Sequence, residues 1–262
     1  MLEIQDFIDF SITNWYEKFA NVTMRTIIIE LPEQLLRKIQ SEEIDDTQEE
    51  IPVEFADKFK NALNALSNRA FVRNNWHAPV DARMFSFGNS LEVATLDDVV
   101  TYFSSSAKIQ EDFSNAKGVP FCMALRKWTS IHPAAEFRCI VVNSTLRGIT
   151  PRDWPTYYEH FKEEGPRIIR ELSEFYDDHV KIQFPRKNYV FDVVFQHPDR
   201  PSLIDFEALN AKTNLYAFAW NEIQPLLGKE ANDEVPPVFR YLENDIGIMA
   251  RADALNTFSK SH

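Results

Sequence analysis

Short apolar runs alternate with helical stripes along this chain, and strands and helices are mixed from end to end. Leu2, Ile4, Phe7, Ile8, Trp15, Tyr16 and Phe19 give residues 2–20 a partly helical pattern, with a polar break at Ser11–Asn14. The β-branched run Met24–Leu31 reads as a strand, and Pro32 opens a short helix over Glu33–Ile39. Phe55, Phe59, Leu63 and Leu66 share one face of a helix across 53–67, and Arg69–Trp76 is a strand entering a turn over His77–Ala82. Thr95 caps a helix over Leu96–Phe103, whose first turn holds Asp97 and Asp98, where the helix dipole favours acids. The strand Val119–Trp128 ends in the basic pair Arg126-Lys127, and Glu136–Val142 with Leu146–Thr150 reads as a hairpin around Asn143-Ser144. Helices are expected over Pro155–Phe161, Pro166–Val180 and near Tyr216–Leu227, with two strands, Tyr189–Phe195 and Ser202–Phe206, between the last two. A polar tail runs from Val235 onward. This order predicts an α+β chain of two mixed lobes, residues 1–118 and 119–262.

Composition narrows the function. The 262 residues are 44% hydrophobic with 21 Phe, ample for bulky sheet–helix cores. Only six Gly are present, with no GxGxxG or GxxxxGK[ST], so a Rossmann or P-loop phosphate site is not expected. A formal charge of −12 argues against direct binding of nucleic acid or of an anionic membrane, which need clustered Lys and Arg. The ten residues 41–50, SEEIDDTQEE, hold six acids and read as a solvated loop or as a docking surface for a basic partner. The first residues lack a basic segment followed by an apolar core, and no apolar run approaches the roughly 20 residues of a membrane span. Cys122 and Cys139 lie in strand-like runs without a CxxC and read as reduced core thiols, which points to the cytoplasm. The histidines, including His77, His132, His160, His179 and His197, show no metal-ligand spacing, and no GxSxG or Cys/His pair suggests covalent catalysis.

The candidate chemistry gathers in the hairpin on either side of His197-Pro198-Asp199-Arg200. Asp192, Asp205 and Glu207 interrupt strands that should otherwise be buried, and residues two apart share a face, so Asp205 and Glu207 point the same way. A turn centred between Pro198 and Asp199 sets Asp192 opposite Asp205, whereas an odd-length loop would move Asp192 out of register. Opposed carboxylates need a neutralising charge. A hard divalent cation such as Mg2+ would supply it, commonly with phosphates. A buried ion pair, for example Arg138 with Asp192, would also do so, since Arg138 lies between apolar residues in mid-strand. Arg73, Arg126, Lys127, Arg138 and Arg152, in or beside strands, could hold phosphates. Trp128 and Trp154 could stack on a base or pack a core, and Glu136 could reach a ribose or be solvated.

Phe10-Ser11 with Trp15-Tyr16, the segment Val72–Ala82, Leu125–Trp128, Pro133–Cys139, Pro151–Trp154, Val190–Val193 and Leu203–Ala208 follow one another in an order and spacing that closely resemble the cell division cycle protein 123 family of ATP-grasp proteins. The resemblance covers nearly the whole chain. It implies an ATP-grasp fold, two α+β lobes with a nucleotide cleft between them. In it, Arg73 would reach the phosphates and Asn75, Trp76, Ala78, Pro79 and Asp81 would build the loop over them. Arg126, Lys127 and Trp128 would line the adenine side, Glu136, Arg138 and Arg152 would complete the ATP pocket, and Asp192, Asp205 and Glu207 would hold Mg2+. It also implies an ATP-binding chaperone, monomeric on its own, that engages the gamma subunit of eukaryotic translation initiation factor 2 and promotes heterotrimer assembly, and not an enzyme. An ATP-grasp ligase or phosphotransferase is the alternative, as is a diverged paralogue acting as an interaction module. The chain departs from the family at Arg73 and Val80, where lysine and a basic residue stand, at Glu207, where asparagine stands, and at Ala208, where proline stands.

Overall fold

A computed structural model describes residues 4–40, 50–85, 90–116, 118–196, 198–229 and 235–245. The acidic stretch 41–49 and His197 lie outside the described residues, as does most of the tail. The chain divides into two compact units, Met1–Ser130 and Ile131–His262.

The first unit opens with two helices, α1 (Ile4–Phe10) and α2 (Ile12–Phe19). The polar break between them is a capped junction: buried Ser11 accepts from the Thr13 N–H at 3.4 Å. An antiparallel sheet follows, built from β1 (Thr26–Glu30), β2 (Ala70–Arg73), β3 (Glu92–Val93) and β4 (Cys122–Lys127) in the order β1-β4-β2-β3. Helices α3 (Glu33–Gln40), α4 (Val53–Ala65), α5 (Leu96–Ser105) and α6 (Ala107–Asn115) share its core. Leu35, Phe55, Phe59, Leu63, Val99, Phe103, Ile109 and Phe113 pack with Ile29, Val72, Met123 and Leu125.

The strand expected to open the second lobe at Val119 is therefore the inner strand of the first, paired with β1 on one side and β2 on the other. Its run of buried residues from Cys122 to Arg126 is what an interior strand requires. The cap expected at Thr95 is present and is part of a capping box with Asp98, the Thr95 hydroxyl accepting from the Asp98 N–H at 3.2 Å.

The second unit holds a five-stranded sheet of β5 (Glu136–Val142), β6 (Thr145–Pro151), β7 (Tyr189–Val194), β8 (Ser202–Ala208) and β9 (Val238–Phe239), in the order β8-β7-β5-β6-β9. Only β9 runs parallel to its neighbour among these pairings. Asn143 and Ser144 have φ of 52° and 59°, the double positive φ of a tight two-residue hairpin. Strand alternation gives the sheet two unlike faces. Phe137, Cys139, Phe191 and Phe206 lie on one, with Phe161 of α7 (Phe161–Phe175) at 5.8 Å from the Phe137 ring and Tyr176 stacked on Phe191. On the other, Ile140, Val142 and Val190 are covered by Leu215 and by Ile223 of α8 (Trp220–Ile223). There Phe218 lies so close to β6 that a Cβ on Gly148 would come within 2.7 Å of its ring.

Two helix expectations fail. Residues 155–160 are not helical: Tyr157 makes an isolated parallel bridge to Leu242, and α7 begins at Phe161 with Pro166 inside it. Of the helix near Tyr216–Leu227 there remain α8 and a short 3-10 turn over Gln224–Leu226, because Tyr216 takes a left-handed φ of 52° that no helix continues.

Candidate functional site

The face of the second unit covered by Leu215 and Phe218 also carries the charges. Arg138 on β5 stands beside Asp192 on β7, and Asp192 beside Asp205 on β8. The opposition of the two aspartates arises in an unforeseen way. The turn-proximal pairs, Val193↔Leu203 and Val194↔Ser202, centre on a single residue, so the loop is odd. A register shift between Asp192 and Val193 then brings Asp192 back opposite Asp205. The bulge restores what the loop length would have undone.

The cation paired with Asp192 is a guanidinium. Arg138 Nε and Nη2 donate to Asp192 Oδ1 and Oδ2, each at 2.8 Å, in the planar two-pronged geometry of a strong pair. Its Nη2 also lies 2.9 Å from Glu207 Oε2, and its Nη1 donates to the Asn214 carbonyl at 2.7 Å. The Tyr216 ring lies 5.3 Å from its Cζ. Arg152, at the end of β6, reaches the same cluster: Nη1 is 2.8 Å from Glu136 Oε2, and Nε is 3.5 Å from Asp192 Oδ2 and 3.3 Å from the Tyr216 hydroxyl. Burial works against the Arg138 charge, but Asp192 and then Glu207 outweigh it and raise its pKa well above the ordinary value. Asp192 does the same for Arg152. Both arginines are permanently charged.

In this cluster two guanidinium groups meet the three carboxylates of Glu136, Asp192 and Glu207, and a fourth, Asp205, lies opposite Asp192 on the neighbouring strand. The excess of acid would repel a bare polyphosphate and suits a divalent cation. Among the described residues no three His, Cys, Asp or Glu side chains converge to enclose a metal ion unaided. The donor chemistry fits Mg2+, which takes one or two carboxylates and completes its shell with phosphate and water. Asp205 and Glu207 are half-buried and could supply those carboxylates, whereas Asp192 is buried and spans Arg138.

In the first unit, the residues expected to meet phosphate are largely engaged with their own backbone. Arg73 is 2% exposed, donates from Nε to the Asn74 carbonyl at 3.2 Å and from Nη2 to the Trp76 carbonyl. Asn75 is fully buried: Nδ2 donates to Ser11 Oγ at 3.1 Å and to the Pro120 carbonyl at 3.0 Å, and Oδ1 accepts from the Cys122 N–H at 2.8 Å. Trp76 donates from Nε1 to the Phe7 carbonyl at 2.7 Å and packs edge-on against Phe7 and Phe121. Asp81 caps α6, accepting from Ser106 Oγ at 2.5 Å and from the Lys108 N–H at 3.2 Å. Pro79 is buried, Ala78 half-buried and Val80 exposed. At the end of β4, Arg126 is buried under Thr23 and the Phe71 ring, while Lys127 is exposed and Trp128 half-exposed with Arg69 5.9 Å from its ring.

Sequence reasoning passed over Asn214 and Tyr216, which hold the arginines: Tyr216 is read there only as the start of a helix, and Asn214 precedes it. It also passed over Asp112, which receives Asn74 Nδ2 at 2.8 Å and His77 Nδ1 at 2.8 Å beneath the 74–81 loop.

The structure resembles that of Cdc123 from Schizosaccharomyces pombe with a TM-score of 0.83, covering 93% of this chain and 99% of that one at 24% identity. The expected α+β class is thereby borne out. The translation initiation factor eIF2 assembly protein of Xenopus tropicalis is 28% identical over 283 residues, spanning 90% of this chain and 84% of its own length. The cell division cycle protein 123 of Yarrowia lipolytica is 30% identical over 234 residues, spanning 76% of this chain and 63% of its own. The D123 family model matches residues 38–262, and the chain belongs to the D123 family.

Proposed function

We propose that this protein is an ATP-grasp assembly chaperone for translation initiation factor 2, acting in the cytoplasm through the gamma subunit and binding ATP with Mg2+. The observation that carries the assembly role is the match to eIF2 assembly proteins over nine-tenths of the chain. Support for nucleotide comes from the charge pattern on β5, β7 and β8. Asp205 and Glu207 would hold Mg2+ at the wall they form with Asp192, while Asp192 fixes the plane of Arg138. When bound, Mg2+ supplies the charge that lets phosphates approach an acidic face. Arg138 and Arg152 would orient bound phosphates, and Glu136 keeps Arg152 in place. In the first unit, Lys127 is exposed and Trp128 half-exposed, whereas Arg73, Asn75, Trp76 and Asp81 shape the 74–81 backbone.

Calorimetric titration with ATP, with and without Mg2+, tests the nucleotide reading. The expected result is Mg2+-dependent binding that Asp205→Ala weakens at least tenfold. Absence of binding by a folded sample makes the chain an interaction module, and unchanged affinity in Asp205→Ala misplaces the cation. Pull-down of the gamma subunit tests the client separately. ADP release in the presence of an acceptor would favour the ligase or phosphotransferase alternative.

A further inference from the structure

The strand β1 is an edge of its sheet, and its backbone groups divide cleanly between two sides. The Lys127 N–H donates to the Arg25 carbonyl and the Leu31 N–H to the Phe121 carbonyl, so odd-numbered residues from 25 to 31 turn their backbone groups toward β4. The even-numbered residues turn theirs outward. Thr26 N–H is taken by the Tyr16 hydroxyl at 2.9 Å. The N–H and C=O groups of Ile28 and Glu30 have no partner among the described residues.

Other edges differ. Strand β8 carries a bulge, and β3 and β9 have two residues each. Beside the open edge of β1 lies a groove of about 530 Å3, floored by Ile27, Ile29 and Ala62 and walled by Lys58 and Asn61 of α4.

We propose that β1 accepts an extended segment of a partner protein as an additional strand. Ile28 and Glu30 exchange backbone hydrogen bonds with the segment, and one apolar side chain of the segment enters the groove. The occupant is another protein and not a second copy of this chain. A two-fold pair centred on Ile28 would need the Thr26 N–H for Glu30, and the Tyr16 hydroxyl holds it. Two chains of charge −12 would also repel, while Glu30 at the edge suits a segment with a basic residue beside its apolar anchor. This inference is independent of nucleotide binding.

Residue-resolved amide exchange on the full chain tests it. Ile27 and Ile29 are expected to exchange slowly and Ile28 and Glu30 rapidly. A seven-residue probe peptide of alternating valine and threonine, flanked by lysines, should slow Ile28 and Glu30 at least tenfold. The same peptide N-methylated at every interior residue should have no effect. Ile28→Pro, which removes a donor aimed away from β4, should abolish the peptide effect and leave the ladder to β4 intact. Protection of Ile28 and Glu30 in the free monomer would mean that the chain covers its own edge. Concentration-dependent protection would mean self-pairing. Either result overturns the proposal, as does a lack of slowing by the peptide or equal slowing by its N-methylated form.

Discussion

Arg138 and Asp192 are each about one-twentieth exposed, and a buried ion pair is weak grounds for stability because both partners lose their hydration. Breaking it is another matter. Arg138→Met should lower the unfolding free energy by about 3–5 kcal/mol, since it leaves Asp192 facing Asp205 and Glu207 with only Arg152 nearby. The double variant Arg138→Met with Asp192→Leu should recover most of that loss in a urea melt, because the apolar pair removes the stranded charge. If the double variant is stable yet no longer binds Mg-ATP, the pair serves binding and not folding. A double variant as unstable as the single one would show that the cluster is structural. This pair was legible in the sequence as an arginine between apolar residues in mid-strand, and so was the Asp192–Asp205 opposition. The bulge that produces the opposition was not, because a register shift leaves no mark in a two-residue period.

At the scale of elements, long amphipathic segments such as α4, and hairpins with a tight turn such as β5–β6, could be read directly from periodicity. Short elements that depend on partners could not. Helix α6 shows only Ile109, Asp112 and Phe113 buried, too few positions for a stripe. Strand β9 is two residues long and exists because β6 offers it an edge, with Gly148 opposite Val238 and Ile149 opposite Phe239. A charged clasp secures it. Arg240 donates to both Glu222 oxygens at 2.8 Å and lies 4.4 Å from the Phe218 ring, and Glu222 in turn accepts from the Ala219 N–H at 2.9 Å. The bonds from Arg240, and then the one from Ala219, lower the Glu222 pKa to about 2. A carboxyl whose folded pKa is depressed stabilises the fold above its ordinary range and loses that effect as pH falls toward the depressed value. Docking of β9 should therefore weaken between about pH 4.5 and pH 2, modestly because the pair is solvent-screened. Exchange of the Arg240 amide, which donates to the Ile149 carbonyl, reports it. Glu222→Gln should speed that exchange at pH 6 and make little difference at pH 2. Equal rates for both proteins across the range would remove the clasp.

For the molecule as a whole, the mixture of strands and helices announced two α+β lobes, and the sequence reading divided them at residues 118 and 119. The structure divides the chain at residues 130 and 131, and the difference has a physical origin. Proximity along the chain favoured joining the strand at Cys122–Lys127 to the hairpin that follows it, yet the register ties that strand to residues 92 to 100 positions earlier, Thr26↔Arg126 through Glu30↔Cys122. On its other side it pairs with Ala70–Arg73. Without β4, the β1 strand has no neighbour in the sheet order, and β2 keeps only the two-residue β3. Met123 and Leu125 would also leave the core that α4 and α5 cover. A fragment of residues 1–130 should therefore give a single cooperative urea transition with native-like circular dichroism. A fragment ending at residue 118 should remain largely unfolded, since both long pairings of β4 and its fully buried apolar residues are lost together. Cys122 gives an independent reading of the same difference. Burial pushes its thiol pKa up to about 12, so in the longer fragment it should resist alkylation at pH 8 until denaturant unfolds the sheet. Rapid alkylation there, or a cooperative transition in the fragment ending at residue 118, would mean that β4 is not the strand that holds the first unit together.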